Sequence, residues 1–299
     1  MFVVQSSFVL IMDAALQHAL REGEQLGLRY ALQIPQVASS GLIGSRLGQR
    51  AGSSIDFQDY REYQPGDDLR FIDWGIYART DRLNIKLFRE EVTPHLDIVI
   101  DGSRSMNLEA SAKASATAKL SALLATAAGN AQCSRAVWLS GDGFNRLAND
   151  THSPATWDKL EINSTRTMDQ AFEILGPKLR RMGVRVLISD LLWPGNPVQT
   201  IRRFREGAAA LFVIQLLGRD DVTPPEHGSI RLVDSESDEV TEIFVDATVK
   251  KQYRDNLAQL QQSWDDACRQ NGAHLTTLVA EDLETSLNEL EAIQLLIPA

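Results

Sequence analysis

The chain changes rhythm near residue 96. From there on, short continuous apolar runs alternate with longer stretches whose apolar residues recur every three or four positions. The runs at residues 96–100, 136–140, 184–189, 209–217 and 273–279 predict strands buried on both faces. Between them, residues 113–129, 168–181, 198–206 and 248–271 predict helices. The last places Tyr253, Leu257, Leu260, Trp264 and Ala267 on one stripe, with Gly272 as a stop signal. Residues 144–148 read as a short antiparallel partner of 136–140, residues 230–233 and 240–245 as a hairpin, and 283–296 as a final helix. Alternating buried strands and helices predict an α/β fold: a doubly wound, mostly parallel sheet with helices on both faces.

The text before residue 96 reads differently. Asp13 predicts the cap of a helix carrying Leu16, Leu20 and Leu28, loosened by Gly23 and Gly27. Residues 34–52 are rich in Pro, Ser and Gly and read as loop. In residues 41–90, Arg46, Arg50, Arg61, Arg70, Arg79, Arg82, Lys86 and Arg89 balance Asp56, Asp59, Glu62, Asp67, Asp68, Asp73, Asp81 and Glu90. Tyr60, Tyr63, Phe71, Trp74 and Tyr77 are interleaved with them. This pattern predicts a compact region held by ion pairs and aromatic packing, with a strand at 83–88. Pro65-Gly66 predicts a turn. Asp67 or Asp68 is then placed to cap a helix running to Arg79. Arg61, Arg70 and Arg79 are candidates for bidentate pairs with Asp67, Asp68 or Asp73. An ion-paired brace and a partner-binding surface are both open readings of this region. The sequence divides into an N-terminal accessory region, residues 1–95, and a sheet domain, residues 96–299.

Composition narrows the classes. Hydrophobic residues make up 43% of the 299 and charged residues 23%, ordinary globular usage. The net charge of -10 argues against broad binding to nucleic acid or anionic membrane, which needs a basic face. Cys133 and Cys268 are too few for a disulfide framework and fit a reducing, cytoplasmic setting. No segment reaches the length of a membrane span. Residues 1–12 are apolar but lack Lys or Arg, unlike a signal peptide, and Met12 competes with Met1 as the natural start.

In sheets of the predicted kind, ligands bind at the carboxyl ends of the strands, near the point where strand order reverses. The first core strand ends in Asp101-Gly102-Ser103-Arg104-Ser105, one carboxylate and two hydroxyls on a turn. These are hard oxygen ligands of the kind Mg²⁺ or Mn²⁺ takes. The strand at 184–189 ends in Asp190, and Ser164, Thr165 and Thr167 precede the helix at 168. Three segments thus bring oxygens to one rim. The bland alternative is that Asp101 only caps the following turn. The chain has no G-x-x-x-x-G-K-[ST] loop, no G-x-S-x-G elbow and no H-E-x-x-H pair. A phosphatase of the haloacid-dehalogenase type wants a second carboxylate where Ser103 stands. His95 reads as a surface-loop residue, and Trp138, Trp193 and Trp264 as packing residues.

The set Asp101, Ser103, Ser105, a Thr, then Asp190 resembles the metal-ion-dependent adhesion site of von Willebrand factor A domains. That family usually shows Gly-Gly-Thr where this chain reads Asn163-Ser164-Thr165-Arg166-Thr167. Thr165 is the favoured counterpart and Thr167 its rival. A second resemblance rests on Gly48, Gly52, Phe57, Tyr60-Arg61-Glu62-Tyr63, Pro65-Gly66-Asp67-Asp68, Arg70, Ile72-Asp73-Trp74 and Ala78-Arg79-Thr80. This stretch resembles the signature of the domain of unknown function 58 family, von Willebrand factor A-like proteins often encoded beside MoxR-type AAA+ ATPases. The two resemblances imply a von Willebrand factor A-like sheet domain and a metal site at Asp101, Ser103, Ser105, Thr165 and Asp190. They also imply a partner that is a MoxR-type ATPase, or a client protein presenting an Asp or Glu. The expected function is a non-enzymatic, metal-dependent interaction module in chaperone-like maturation or remodelling. The alternative is a Mg²⁺-dependent phosphotransfer or hydrolytic enzyme using the same rim, although no general base or nucleophile accompanies the oxygens.

Overall fold

The computed structural model describes residues 3–35, 55–90, 93–108, 111–158, 160–223, 228–235 and 239–299, with side chains omitted at 3–13, 55–58 and 87–90. In chain order the strands are β1 (Tyr30–Leu32), β2 (Ile55–Glu62), β3 (Asn84–Glu90), β4 (His95–Ile100), β5 (Ser134–Gly141), β6 (Gly143–Arg146), β7 (Val184–Ser189), β8 (Ala210–Leu217), β9 (Gly228–Val233), β10 (Val240–Val245), β11 (His274–Val279) and β12 (Leu296–Pro298). The helices are α1 (Val3–Gly27), α2 (Trp74–Thr80), α3 (Lys113–Asn130), α4 (Met168–Ile174), α5 (Pro197–Arg205), α6 (Arg219–Val222), α7 (Ala247–Gln270) and α8 (Leu287–Ala292).

Two compact units result. One joins Met1–Ile34 to Pro94–Ala299 and the other is Pro35–Thr93. Of the region expected at residues 1–95, residues 1–34 group with the sheet and 35–93 stand as a unit of their own. Helix α1 packs along α3, and β1 pairs antiparallel with β12 at the chain's end.

The larger unit is a mixed α/β fold around a six-stranded sheet of order β11-β8-β7-β4-β5-β6. All neighbours are parallel except β5 and β6. Both faces are covered, so the strands are near-continuous apolar runs. Leu96, Ile98 and Ile100 of β4 and Val184, Val186 and Ile188 of β7 point into one core with α1 and α3. Val99 and Leu187 point into the other, with Met168, Ile201, Phe204 and Trp264 from α4, α5 and α7. Strand β4 lies between β5 and β7, so strand order reverses at its carboxyl end. That is where such sheets take ligands.

Several predicted elements differ. Helix α1 starts before Asp13, which lies inside it. Gly23 and Gly27 do not loosen it. They let α3 approach closely: a Cβ on Gly23 would lie 2.0 Å from the Lys119 carbonyl oxygen, and one on Gly27 2.7 Å from that of Leu123. The helix expected over 168–181 stops at Ile174, because Leu175 turns extended ahead of Gly176 and Pro177. The helix expected over 283–296 is a 3-10 segment, Ala280–Ser286, then the short α8 and the strand β12.

In the smaller unit, β2 and β3 form an antiparallel pair, and Gln64 to Asp67 closes a turn in which Gly66 takes φ 106°. The cap is not where it was expected. Asp68 caps only a single 3-10 turn, Leu69–Phe71. Asp73 caps α2, accepting from the amides of Gly75 and Ile76 at 2.8 and 3.0 Å. Arg61 grips Asp67 through two bonds of 2.7 and 2.9 Å. Arg70 pairs with Asp68, and Asp73 with Lys86, while Arg79 reaches the Gly75 carbonyl instead of a carboxylate. Gly48 and Gly52 of the family signature lie outside the described residues, as does most of the 34–52 loop, and the Phe57 side chain is likewise not described.

Candidate functional site

Strand β4 delivers Asp101 to the rim, where it is 1% exposed. Its Oδ2 accepts from the Ser189 hydroxyl at 2.6 Å. Its Oδ1 accepts from the Ser103 amide at 3.0 Å and the Ser140 hydroxyl at 3.4 Å. All three are neutral donors. Burial, and the neighbouring Asp190 after it, push the Asp101 carboxyl up to about 6. Such a carboxylate is short of positive charge.

The chain then turns through Gly102, where a Cβ would lie 2.1 Å from the Ser140 carbonyl oxygen, so a side chain has no room. Ser103 and Ser105 follow with their hydroxyls 3.0 Å apart. Ser164 lies alongside: its amide donates to the Gly102 carbonyl and its own carbonyl accepts from the Arg104 amide, both at 2.8 Å. That pairing holds the Asn163–Thr167 loop against the Asp101 turn. Thr165 is exposed and lines a cleft of about 520 Å³ with Ser140, Asp142, Glu161 and Asn163. Thr167 is buried, and its hydroxyl accepts from the Gln170 amide in a capping box that starts α4. Its oxygen is occupied in a way that of Thr165 is not.

Asp190 reaches the same rim from β7 and is also 1% exposed. Its Oδ1 accepts from the Leu192 amide at 3.2 Å, and its Oδ2 from the Lys113 ammonium at 3.0 Å. Leu191, next in the chain, holds φ at 57°. Burial of its side chain and a 3.1 Å bond from the Trp264 indole to its carbonyl fix that unusual backbone.

The structure therefore joins Asp101, Ser103 and Ser105 directly and brings Asp190 close enough to raise the Asp101 carboxyl. It sets Thr165 on the flank. Sequence reasoning missed Ser140 and Ser189, which brace Asp101, and Lys113, which pairs with Asp190 and is held from its other side by Asp221. Lys113 stands first in an otherwise Ala-rich buried helix, and that contrast was the available signal. His95, read as a surface-loop residue, begins β4 instead. Its ring lies 3.3 Å from Asp97 and 2.8 Å from Ser134 at the amino edge of the sheet.

Among the described residues no three His, Cys, Asp or Glu side chains converge on one point. A cation at this rim would rest on two carboxylates plus hydroxyls. That donor set is all hard oxygen and fits Mg²⁺ or Mn²⁺ better than a soft metal. No helix among the described residues is long and apolar enough to cross a membrane.

Residues 59–263 match the family described as "Protein of unknown function DUF58". The chain belongs to that family. It is 26% identical over 234 residues to an uncharacterized protein of Mycobacterium tuberculosis, Rv1480, and to its Mycobacterium bovis counterpart, Mb1516, covering 74% of each chain. Among solved structures it is similar to BatB from Bacteroides thetaiotaomicron, at 10% identity and a TM-score of 0.32, over 67% of this chain and 98% of that one. An aerotolerance-related membrane protein from Bacteroides fragilis gives 12% and 0.33 over the same shares. Scores of that size do not decide a fold.

Proposed function

We propose that this member of the DUF58 family is a non-enzymatic, metal-dependent protein-interaction module with a von Willebrand factor A-like sheet domain. The observation that carries the reading is Asp101: a buried carboxylate with neutral partners, beside Asp190, next to paired serine hydroxyls at the point where strand order reverses. Asp101, Ser103 and Ser105 would hold Mg²⁺ or Mn²⁺, with Asp190 supplying further charge and Thr165 a further hydroxyl. When bound, the ion would supply positive charge for recognition of an Asp or Glu on a partner. Ser189 and Ser140 keep Asp101 oriented, and the Ser164 backbone keeps the hydroxyl-bearing turn in place. The partner we propose is a MoxR-type AAA+ ATPase or its client, in a cytoplasmic, chaperone-like role.

The hydrolytic alternative has less support. His95 and Ser134 lie at the other edge of the sheet, and the Ser134 hydroxyl donates to the Pro94 carbonyl. Isothermal titration of Mn²⁺ tests the reading. One ion should bind per chain, and Asp101→Ala should abolish binding while retaining the far-ultraviolet dichroism. Asp101→Ala binding as tightly as wild type would sink it. A pull-down of wild type beside Asp101→Ala in Mg²⁺ then identifies the partner.

A further inference from the structure

Lys113 has no place in that account, yet it is 1% exposed at the start of α3. Lysine is almost never so deeply buried unless paired. Its Nζ lies 3.0 Å from Asp190 Oδ2 and 2.9 Å from Asp221 Oδ2. Both Asp190 oxygens therefore already have protein donors, the ammonium on one and the Leu192 amide on the other. Asp221 is itself fixed. The same Oδ2 accepts from the Gly218 amide at 2.8 Å, and its carbonyl accepts from the Tyr253 hydroxyl of α7 at 2.6 Å. The lysine is thus held from two sides and is not a surface side chain that can swing away.

We propose that Lys113 is a tethered cation that competes with the divalent ion for Asp190 and so sets how tightly the rim holds metal. The proposal rests on the metal reading above. In it, Asp190 answers first to Lys113, and Asp101, Ser103 and Ser105 are left as the direct donors. The rim is then tuned to weak, reversible metal binding. Lys113 is a positioning residue: it acts through Asp190 and touches no partner.

The test compares Mn²⁺ affinity, by calorimetry and by electron paramagnetic resonance of free Mn²⁺, in wild type, Lys113→Met and the double variant Lys113→Met with Asp221→Asn. The double variant removes one positive and one negative charge, so the net charge of the neighbourhood is unchanged. If the lysine acts by occupying Asp190, both variants should bind Mn²⁺ about tenfold more tightly than wild type, since a cation a few ångströms from a carboxylate in a low-dielectric site is a strong competitor. If only the summed charge matters, the double variant will match wild type and the proposal fails. Unchanged or weaker binding in Lys113→Met also overturns it. Lys113→Met alone leaves Asp190 and Asp221 facing each other, so the double variant carries the test if the single one does not fold. If neither folds in Mn²⁺, Lys113 is a structural brace and the proposal falls. Wild type and both variants all failing to bind would instead remove the metal reading. Binding by the variants alone would support both.

Discussion

Asp101 behaves as a carboxylate placed where its charge is costly. The folded state holds its proton up to about pH 6, against an ordinary value of 3.8. A raised carboxyl makes its largest contribution to stability below about pH 4, loses it as the pH climbs to about 6, and is flat above. A gap of about two units corresponds to about 3 kcal/mol. Glu22, Asp67, Asp68 and Asp73 are shifted the other way by their partners and would mask this in a single profile. Asp101→Asn isolates it. In EDTA, the melting temperature of wild type should fall relative to Asp101→Asn between pH 4 and 7, and Mn²⁺ should restore it by favouring the ionised form. Parallel profiles would show that Asp101 is not the cause. The four strand-end and turn residues, Asp101, Ser103, Ser105 and Asp190, were legible because position along a strand determines which edge a residue reaches. Lys113 and Asp221 were not, because the contact between them depends on how α3 packs beside β7 and β8. Spacing along the chain does not encode that.

At the scale of elements, local pattern carried the sheet. The runs behind β4, β7 and β8 are buried on both faces, and their boundaries fall within a residue or so of those expected. It failed where long-range partners decide. Nothing local shows that Leu296 will pair with Leu32, and the glycines of α1 read as breakers until α3 lies against them. Gly23→Ala tests the second point. It puts a methyl group into the Lys119 backbone and should destabilise by about 1–3 kcal/mol or more through overpacking, against the gain that alanine brings to an isolated helix. A higher melting temperature in Gly23→Ala would show that the two helices stand further apart. In the smaller unit, the capping geometry ranks two substitutions. Arg70 is largely exposed and reaches one carboxylate, so Arg70→Ala should change little. Asp73→Ala removes the cap of α2 together with contacts to Lys86 and Tyr60, and should lower stability visibly more. Equal melting temperatures for the two variants would count against the Asp73 assignment.

At the scale of the whole molecule, Asp plus Glu outnumber Lys plus Arg by 40 to 30, for a net charge of -10. An acidic protein recognising an acidic side chain meets two opposed electrostatic effects. The long-range field repels the partner, and salt screens that field over about 10 Å at 0.1 M. The short-range attraction in the proposed function sits at the buried Asp101 and Ser103 beside the half-buried Ser105, where much of the solvent is excluded, and salt screens it far less. Raising NaCl therefore relieves the repulsion while leaving the contact nearly intact. Binding of the partner should need divalent metal and should change little as NaCl rises from low to moderate concentration. Affinity measured in Mg²⁺ across a NaCl series, beside an EDTA control, reads both parts. A steep loss with salt would mean that complementary surface charge holds the complex, as at an ordinary basic-on-acidic interface. Full binding in EDTA would mean that the oxygens around Asp101 serve the fold alone.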